Sequence, residues 1–236
     1  MSRFFGLIPA RGGSKGIPGK NLYSIAGIPL IDYTINSASK SKVLTEVFLS
    51  TDDIDIANRA KGTAIQVPDL RPPHLAADDT LTVDVALHAI KNWIKDFDQD
   101  DYLVLLQPTS PLRRNDHIHE ACELLKRGAN GTQSLVSVCD VGANHPARMK
   151  VIGRDGYLRN YSGEDFEDMR PRQQLPTVFI RNGAIYINKI VDILKNNRLL
   201  SPNCLPYIMS THDSINIDTL DDIYLFSKRL GEVNKG

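Results

Sequence analysis

The chain has 236 residues, 42% of them hydrophobic, which is enough for one large α/β domain or for a domain that carries a smaller insert. Lysine plus arginine and aspartate plus glutamate are equal at 28 each, and the net charge of zero argues against a nucleic-acid-binding protein with a broad basic face. Three separated cysteines, no signal sequence and no apolar run of membrane-spanning length predict a cytoplasmic protein without disulfides, a zinc site or a membrane anchor.

Short apolar runs alternate with helical patterns over the first 140 residues. The predicted strands are Phe4–Ile8, Val47–Ser50, Ala64–Val67, Tyr102–Leu106 and Ser134–Cys139. The predicted helices lie between them: one opened by Pro29, one at Asp53–Lys61, one with its apolar stripe from Val83 to Ile94, and one at Asn115–Arg127. This alternation predicts right-handed βαβ crossovers and an α/β fold with a mostly parallel sheet.

The pattern changes at residues 140–182, where Gly, Asn, Arg, Asp and Pro dominate. We interpret this stretch as an insert that leaves the sheet and forms a partner interface. The rhythm resumes with a strand at Gly183–Ile187, an adjoining helix and a final helix that Asp218 or Thr219 caps. Residues 1–139 and 183–236 are thus predicted to form the core domain.

The loop within residues 8–21 contains four glycines and two prolines around Arg11, Lys15 and Lys20, and no acidic residue precedes Asp32. Bare backbone N–H groups and cations in one loop suit a polyanion. The spacing of the glycines excludes both a P-loop and the dinucleotide fingerprint Gly-x-Gly-x-x-Gly. An ordinary strand-to-helix turn is the alternative, although such a turn needs only one glycine.

Two further loops follow predicted strands of the same sheet. Thr51 and Asp52 follow the second strand, and Gln107-Pro-Thr-Ser-Pro follows the strand at Tyr102–Leu106. Ligands of open parallel sheets bind outside the carboxyl ends of the strands, so the three loops are expected to meet at one edge. A local positive cluster in a neutral chain favours a small anionic ligand there.

Six blocks of sequence, in a fixed order, resemble the CMP-sialic acid synthetases (acylneuraminate cytidylyltransferases), which include CMP-legionaminic and CMP-pseudaminic acid synthetases. The blocks are residues 8–21, 70–76, 105–113, 171–176, 182–188 and 214–219. The resemblance implies a Rossmann-like nucleotidyltransferase in which Mg²⁺ assists the attack of a nine-carbon 2-keto sugar acid on CTP, giving the CMP-sugar and pyrophosphate. It also implies a homodimer with shared active sites, in which residues 140–182 serve dimerisation and the sugar site.

The resemblance assigns roles residue by residue. The implied catalytic residues are Arg11, Lys15, Lys20 and Asp218. The implied nucleotide-binding residues are Arg11, Ser14, Lys15, Lys20, Asn21, Arg71, Thr80 and Thr82. The implied sugar-binding residues are Gln107, Arg148, Arg172, Tyr186, Leu199 and Leu200. The implied metal ligands are Asp218 and Asn216, with Asn216 the weaker because the family pattern has aspartate there. None of the six histidines has a matching role as general base.

Several alternatives stay open at this point. Thr80 and Thr82 could cap a helix, Asp218 could cap the last helix, Tyr186 could belong to the core, and Arg172 could be a solvated surface residue. Leu199-Leu200 replaces an aromatic pair and leaves the choice among sialic, legionaminic and pseudaminic acids undecided. The alternative activities are that of a CMP-Kdo synthetase and the binding role of a non-catalytic nucleotide-dependent regulator.

Overall fold

The computed structural model describes residues 2–128, 131–163 and 168–233. The strands within them are β1 (Phe4–Pro9), β2 (Ser24–Ile25), β3 (Ile28–Pro29), β4 (Glu46–Ser50), β5 (Ile65–Gln66), β6 (Tyr102–Leu105), β7 (Ser134–Asp140), β8 (Lys150–Ile152), β9 (Leu158–Asn160), β10 (Phe179–Lys189) and β11 (Cys204–Ile208). The helices are α1 (Leu30–Ser39), α2 (Ile54–Arg59), α3 (Thr82–Asn92), α4 (Asn115–Lys126), α5 (Ile190–Asn196) and α6 (Leu220–Val233). Short 3-10 turns lie at Lys20–Leu22, Pro73–Leu75, Pro146–Arg148 and Arg172–Gln174.

Seven strands form one sheet in the order β11-β7-β10-β6-β1-β4-β5. Neighbouring strands are parallel except at β10, which runs antiparallel to both β6 and β7. The prediction of an α/β fold with a mostly parallel sheet is therefore confirmed. Because β6, β1 and β4 are adjacent and parallel, the loops that follow them open at the same edge of the sheet.

Strand β1 lies in the middle of the sheet and buries both faces. Phe4 and Ile8 pack into the apolar cluster formed with α1, α2 and α4, whereas Phe5 and Leu7 pack into the cluster formed with α3 and α5. Successive side chains of a strand point to opposite faces, so a continuous apolar run is what a doubly covered strand requires. The start of the loop after β1 is therefore anchored by a strand that is buried on both faces.

A third apolar cluster joins that loop to the C-terminal part of the chain. Ile17 of the loop packs with Phe226 of α6 and with Ile215 and Ile217, which precede that helix. All four side chains are at least 95% buried. This packing brings the cationic loop beside the stretch that contains Asn216 and Asp218, although about 200 residues separate them along the chain.

The predicted insert at residues 140–182 contains a small sheet of its own. Strands β8 and β9 pair antiparallel with each other in a separate two-stranded sheet. The main sheet resumes earlier than predicted, because β10 begins at Phe179 and pairs there with Asp140 of β7. Residues 164–167 of the insert lie outside the described residues, and the division into core and insert stays a prediction.

Among the described residues, none of the helices combines the length and the hydropathy that crossing a membrane requires.

Candidate active site

The loop after β1 is braced at both ends. The backbone N–H of Gly12 donates to Asp52 Oδ1 at 2.9 Å, and a Cβ built on Gly12 would lie 2.9 Å from the Cβ of Asp53. Gly12 therefore leaves no room for a side chain. At the other end, the buried Asn21 donates from Nδ2 to the carbonyl of Arg11 at 2.8 Å. These contacts hold the loop in one shape.

The three cations predicted to bind a triphosphate each lie beside a carboxylate. Arg11 Nη1 and Lys15 Nζ lie 2.8 Å and 2.9 Å from the two oxygens of Asp78. Lys20 Nζ lies 3.0 Å from Asp218 Oδ1 and donates to a backbone carbonyl as well. The Lys20 side chain is 15% exposed and the Lys15 side chain 78%, so Lys20 is held in place and Lys15 is a solvated point charge.

Arg71 is a buried cation that connects the end of β4 to the segment after it. Its Nε donates to Ser50 Oγ at 3.0 Å, its Nη2 donates to the Ser50 carbonyl, and its Nη1 donates to the Leu75 carbonyl at 3.3 Å. Burial lowers the pKa of Arg71 to about 10, and the carboxylate of Asp52 opposes that shift. Arg71 thus holds the end of β4 and the segment around Leu75 together, and its contact with a nucleotide stays a prediction.

A cavity of about 280 Å³ lies at the shared edge of the sheet. Seven of the eight predicted nucleotide-binding residues line it: Arg11, Ser14, Lys20, Asn21, Arg71, Thr80 and Thr82. Lys15 is the exception and reaches the site through its ion pair with Asp78, which lines the cavity. The lining combines cations with the apolar side chains of Leu75 and Val85, a combination that suits a ligand with both phosphates and an apolar ring.

Neither threonine of the cavity wall acts as a helix cap. Helix α3 begins at Thr82, and Leu81 before it makes no side-chain capping bond. Thr80 Oγ1 donates instead to the carbonyl of His74 at 3.3 Å. The capping alternative is therefore wrong for both residues, and both line the cavity.

Gln107 follows β6 and lies against Gly183, a residue to which the sequence assigned no role in the site. A Cβ built on Gly183 would lie 2.8 Å from Gln107 Oε1, and Gly183 has a φ of +79° in the left-handed region. The register of β10 against β7 shifts between Arg181 and Tyr186, around this glycine. Gly183 thus makes the space that the Gln107 side chain occupies, and a glycine inside a strand pattern is the signal that could have identified it.

A second missed residue, Arg113, supports the Gln107 loop from the core. Arg113 is 2% exposed, and its guanidinium donates to the carbonyls of Gln107 and Ala184 at 3.0 Å and 2.9 Å and to Thr34 Oγ1 at 2.7 Å. Complete burial lowers the pKa of Arg113 to about 9. One side chain thereby joins the loop after β6, strand β10 and helix α1.

Asn216 and Asp218, two residues apart, lie on the same side of the stretch before α6. Ile217 between them is fully buried, whereas Asn216 and Asp218 are exposed. Asn216 Nδ2 donates to Asp218 Oδ2. The backbone N–H of Ile217 donates to the carbonyl of Thr109 at 2.8 Å, which attaches this stretch to the loop that contains Gln107.

The Asp218 carboxylate is not used to start α6. Thr219 N–H donates to Asp222 Oδ2 at 2.8 Å, and Asp222 N–H donates to Thr219 Oγ1 at 3.3 Å, a reciprocal cap. The predicted capping by Thr219 is confirmed and capping by the Asp218 side chain is wrong. The described residues contain no group of three or more His, Cys, Asp or Glu side chains that could hold a metal. The Asp218 carboxylate has the Asn216 amide beside it, and the Asp222 carboxylate accepts from the Asp218 backbone N–H at 3.0 Å.

Two predicted sugar-binding arginines lie in the segment between β7 and β10, outside the cavity wall. Arg148 donates to the carbonyls of Arg170, at 2.6 Å, and Asp168. The Arg172 side chain is 63% exposed and its Nη2 lies 3.4 Å from Asp140 Oδ1. These contacts within the chain leave most of the Arg172 side chain accessible.

The remaining predicted sugar-binding residues are half-buried. Tyr186 and Leu199 pack against the apolar cluster formed with α3 and α5, and burial raises the pKa of the Tyr186 phenol. Leu200 is also half-buried. Because none of them lines the cavity, their role toward a sugar stays a prediction.

Comparisons with known proteins identify the family of this chain. The family model described as cytidylyltransferase matches residues 5–187. The N-acylneuraminate cytidylyltransferase of Streptococcus agalactiae is 33% identical over 218 residues, which are 92% of this chain and 50% of the relative, so the chain spans about half the length of that relative. The CMP-N,N'-diacetyllegionaminic acid synthase of Legionella pneumophila is 36% identical over 238 residues, covering 99% of this chain and 98% of the relative.

Solved structures share the fold. A CMP:2-keto-3-deoxy-manno-octonic acid synthetase complexed with CTP superposes with a TM-score of 0.68 at 16% identity, covering 98% of this chain and 99% of that one. The 4-diphosphocytidyl-2C-methyl-D-erythritol synthase of Anaerococcus prevotii gives a TM-score of 0.63 at 13% identity, with 98% and 96% covered. The shared motifs, the family model and the relatives all lead to one assignment: this chain belongs to the cytidylyltransferase family.

Proposed function

We propose that the protein transfers CMP from CTP to a nine-carbon 2-keto sugar acid, either sialic acid or a legionaminic or pseudaminic relative, and releases pyrophosphate. The observation that carries the proposal is the convergence on one cavity of the loops after β1 and β6 and the segment after β4, with cations from the first and Gln107 from the second. Relatives named for N-acylneuraminate and for diacetyllegionaminic acid support this class of acceptor.

In this proposal the loop after β1 binds the triphosphate. Arg11 offers a planar two-point contact to phosphate oxygens, Lys15 adds a solvated charge, and Ser14 adds a hydroxyl. Lys20 is fixed between the Ile217 carbonyl and Asp218, so it is suited to a defined oxygen of the leaving pyrophosphate. A donor held in place before the reaction stabilises developing charge without reorganisation.

The residues present fit a magnesium ion. Asp218 presents an exposed carboxylate at the edge of the site, and magnesium sites commonly combine one or two carboxylates with phosphate oxygens and water. Asp218 would hold the ion and Asn216, which donates to the same carboxylate, would orient it. When bound, Mg²⁺ would neutralise phosphate charge in the transition state.

Gln107 is the proposed contact to the sugar acid within the cavity, because its amide can donate to a carboxylate or accept from a hydroxyl. Arg148, Arg172, Tyr186 and Leu199-Leu200 are proposed to complete the sugar site. We assign Arg172 to the site of a second subunit, since its side chain is exposed on the segment between β7 and β10.

The same segment supports the proposal of a homodimer. Ile152, Tyr157, Leu158 and Tyr161, on and beside the β8–β9 hairpin, are 76%, 73%, 69% and 65% exposed. Large apolar side chains grouped on one exposed element are typical of an interface.

The cysteines support the proposed cytoplasmic location. Cys122, Cys139 and Cys204 are free thiols, and burial raises the pKa of Cys122 to about 12. Unpaired thiols are typical of proteins from reducing compartments.

The test is pyrophosphate release from CTP and Mg²⁺ with a panel of acids: N-acetylneuraminic, legionaminic and pseudaminic acid, and Kdo. We expect turnover with at least one nine-carbon acid, and little when ATP, GTP or UTP replaces CTP. Turnover with Kdo alone would favour the eight-carbon alternative. Binding of CTP without turnover on any acid would favour the regulatory alternative.

A further inference from the structure

One carboxylate forms ion pairs with two of the cations in the proposed triphosphate loop. Asp78 Oδ1 lies 2.8 Å from Arg11 Nη1, and Asp78 Oδ2 lies 2.9 Å from Lys15 Nζ. Arg11 Nη1 also donates to the carbonyl of Ala77 at 3.0 Å. The two carboxylate oxygens of Asp78 each contact one cation. Two oxygens of a phosphate group could contact Arg11 and Lys15 in the same way.

Asp78 lies in the segment that faces the loop across the cavity, and Asp78 and Arg11 both line that cavity. The segment is anchored upstream, where Arg71 N–H donates to the carbonyl of Thr51 at 2.7 Å and the Arg71 guanidinium donates to Ser50. The segment that contains Asp78 is therefore held in place at Arg71, and Asp78 contacts Arg11 and Lys15 from it.

The contact is exchangeable. The side chains of Asp78, Arg11 and Lys15 are 45%, 31% and 78% exposed, and ion pairs at such exposure are worth little because water competes for both partners. The Lys15 and Arg11 contacts lower the pKa of Asp78, so the carboxylate is charged at neutral pH. A triphosphate brings more negative charge to the same cations and can displace it.

We propose that Asp78 is an internal substitute for phosphate, which holds Arg11 and Lys15 in the free protein and is displaced when a polyphosphate binds. The inference rests on the proposed function for the identity of the nucleotide. Three consequences follow from the exchange. The loop keeps its cations in position without a ligand, and the affinity for polyphosphate is lower than the cations alone would give. Asp78 also competes for the cations when pyrophosphate leaves.

The experiment compares Asp78→Asn with the matched control Asp79→Asn, which removes the same charge from the neighbouring exposed residue. Binding of CTP, CMP and inorganic tripolyphosphate is measured by calorimetry on the full chain. We expect Asp78→Asn to bind CTP and tripolyphosphate about fivefold more tightly than wild type, because the ligand no longer has to displace two exposed ion pairs, each of which is weak. CMP, which lacks the β- and γ-phosphates, and the Asp79→Asn variant are expected to change by less than about twofold.

An unchanged or weaker affinity of Asp78→Asn for both polyphosphates would overturn the inference and make Asp78 a brace of the loop. An equal gain in Asp79→Asn would also overturn it, because the effect would then be one of overall charge. If no variant binds CTP, the proposed function fails, and tripolyphosphate still tests the exchange. A damaged fold cannot imitate the expected result, because damage does not raise affinity.

Discussion

At the scale of single residues, the charge around Asp218 decides how the site handles a cation. Lys20 Nζ lies 3.0 Å from its Oδ1, and Asn216 donates to its other oxygen. The ion pair between Asp218 and Lys20 is close to neutral in total charge. A second carboxylate at position 216 would make the same place negative and would attract a divalent ion more strongly.

Asn216→Asp is therefore expected to lower the Mg²⁺ concentration for half-maximal pyrophosphate release by roughly threefold to tenfold. The measurement is the rate against Mg²⁺ concentration at saturating CTP and sugar acid. The exchanged variant Asn216→Asp with Asp218→Asn keeps the total charge of wild type and serves as control. If the requirement of Asn216→Asp equals that of wild type, residue 216 lies outside the reach of the ion.

Gly183 shows how one missing side chain determines the position of another. The residue has a φ of +79°, and a Cβ there would lie 2.8 Å from Gln107 Oε1. Gly27, in the turn between β2 and β3, has a φ of +81°, and a Cβ there would meet no heavy atom within 4 Å. The two glycines therefore share a left-handed backbone and differ in what a methyl group would meet.

Gly27→Ala is expected to destabilise the fold by about 1–2 kcal/mol, the cost of a left-handed alanine, with turnover unchanged. Gly183→Ala is expected to lose a similar stability and, because Gln107 must move, to raise the KM for the sugar acid about tenfold. Thermal melts and steady-state kinetics separate the two effects. Equal kinetics in both alanine variants would show that the position of Gln107 does not matter for the sugar.

At the scale of elements, helix α4 has a buried histidine in its first turn. His117 is 6% exposed, its Nδ1 accepts from Arg114 N–H at 3.3 Å, and its Nε2 lies 3.7 Å from Asp213. Burial, aided by the nearby Arg114 charge, lowers the pKa of His117 in spite of Asp213 and Glu120. The imidazole is therefore neutral in the folded protein at a pH where the unfolded chain would protonate it.

Below pH ~6.5 the unfolded chain binds a proton at His117 that the folded chain does not. The free energy of unfolding therefore decreases as the pH is lowered, by at most ~1.4 kcal/mol per pH unit. His117→Gln removes this titration, and its melting temperature is expected to fall less than that of wild type between pH 7 and 5.5. His119→Gln, on the exposed face of the same helix, is expected to follow wild type. Parallel pH curves for wild type and His117→Gln would contradict this interpretation.

The elements that the sequence predicts are those with strong periodicity, and the missed ones break a local rule. Strand β11 contains Pro206, which has no N–H for a ladder and is typical of an edge, and β11 lies at the edge of the sheet beside β7. The β8–β9 hairpin has strands of three residues each, too short for an alternating pattern to register. Local sequence could not show either one.

Within the site, residue types were predictable and their partners were not. Arg11, Lys15 and Lys20 stand out because glycines surround them, but nothing local connects Arg11 to Asp78. Arg113 resembles any charged residue after a loop until the fold encloses it. Contacts between residues far apart in the chain depend on packing, and the periodicity of a sequence does not encode packing.

At the scale of the whole molecule, the chain leaves an apolar hairpin and a charged side chain exposed on one segment. Ile152 and Leu158 are 76% and 69% exposed, and the Arg172 side chain is 63% exposed. Burial of the hairpin against a second copy would be favourable at about 25 cal/mol per Å² of apolar surface. In the proposed dimer, Arg172 of each subunit is assigned to the cavity of the other.

This arrangement is tested by mixing two inactive proteins. Lys20→Met removes the fixed cation of a subunit's own site, and Arg172→Ala removes the group proposed to serve the partner's site. In a mixed dimer, the Arg172→Ala subunit keeps its own Lys20 and receives Arg172 from its partner. Random exchange of equal amounts should therefore restore about one quarter of the wild-type rate, because half of the dimers are mixed and each has one complete site.

The control for this complementation is a pair whose lesions both fall within one subunit's own site. A mixture of Lys20→Met and Asp218→Asn would regain one quarter of the wild-type rate only if Lys20 or Asp218 also acted across the interface. We expect this mixture to stay inactive. If the first mixture also stays inactive while light scattering shows that subunits exchange, Arg172 acts within its own subunit and the shared site is excluded.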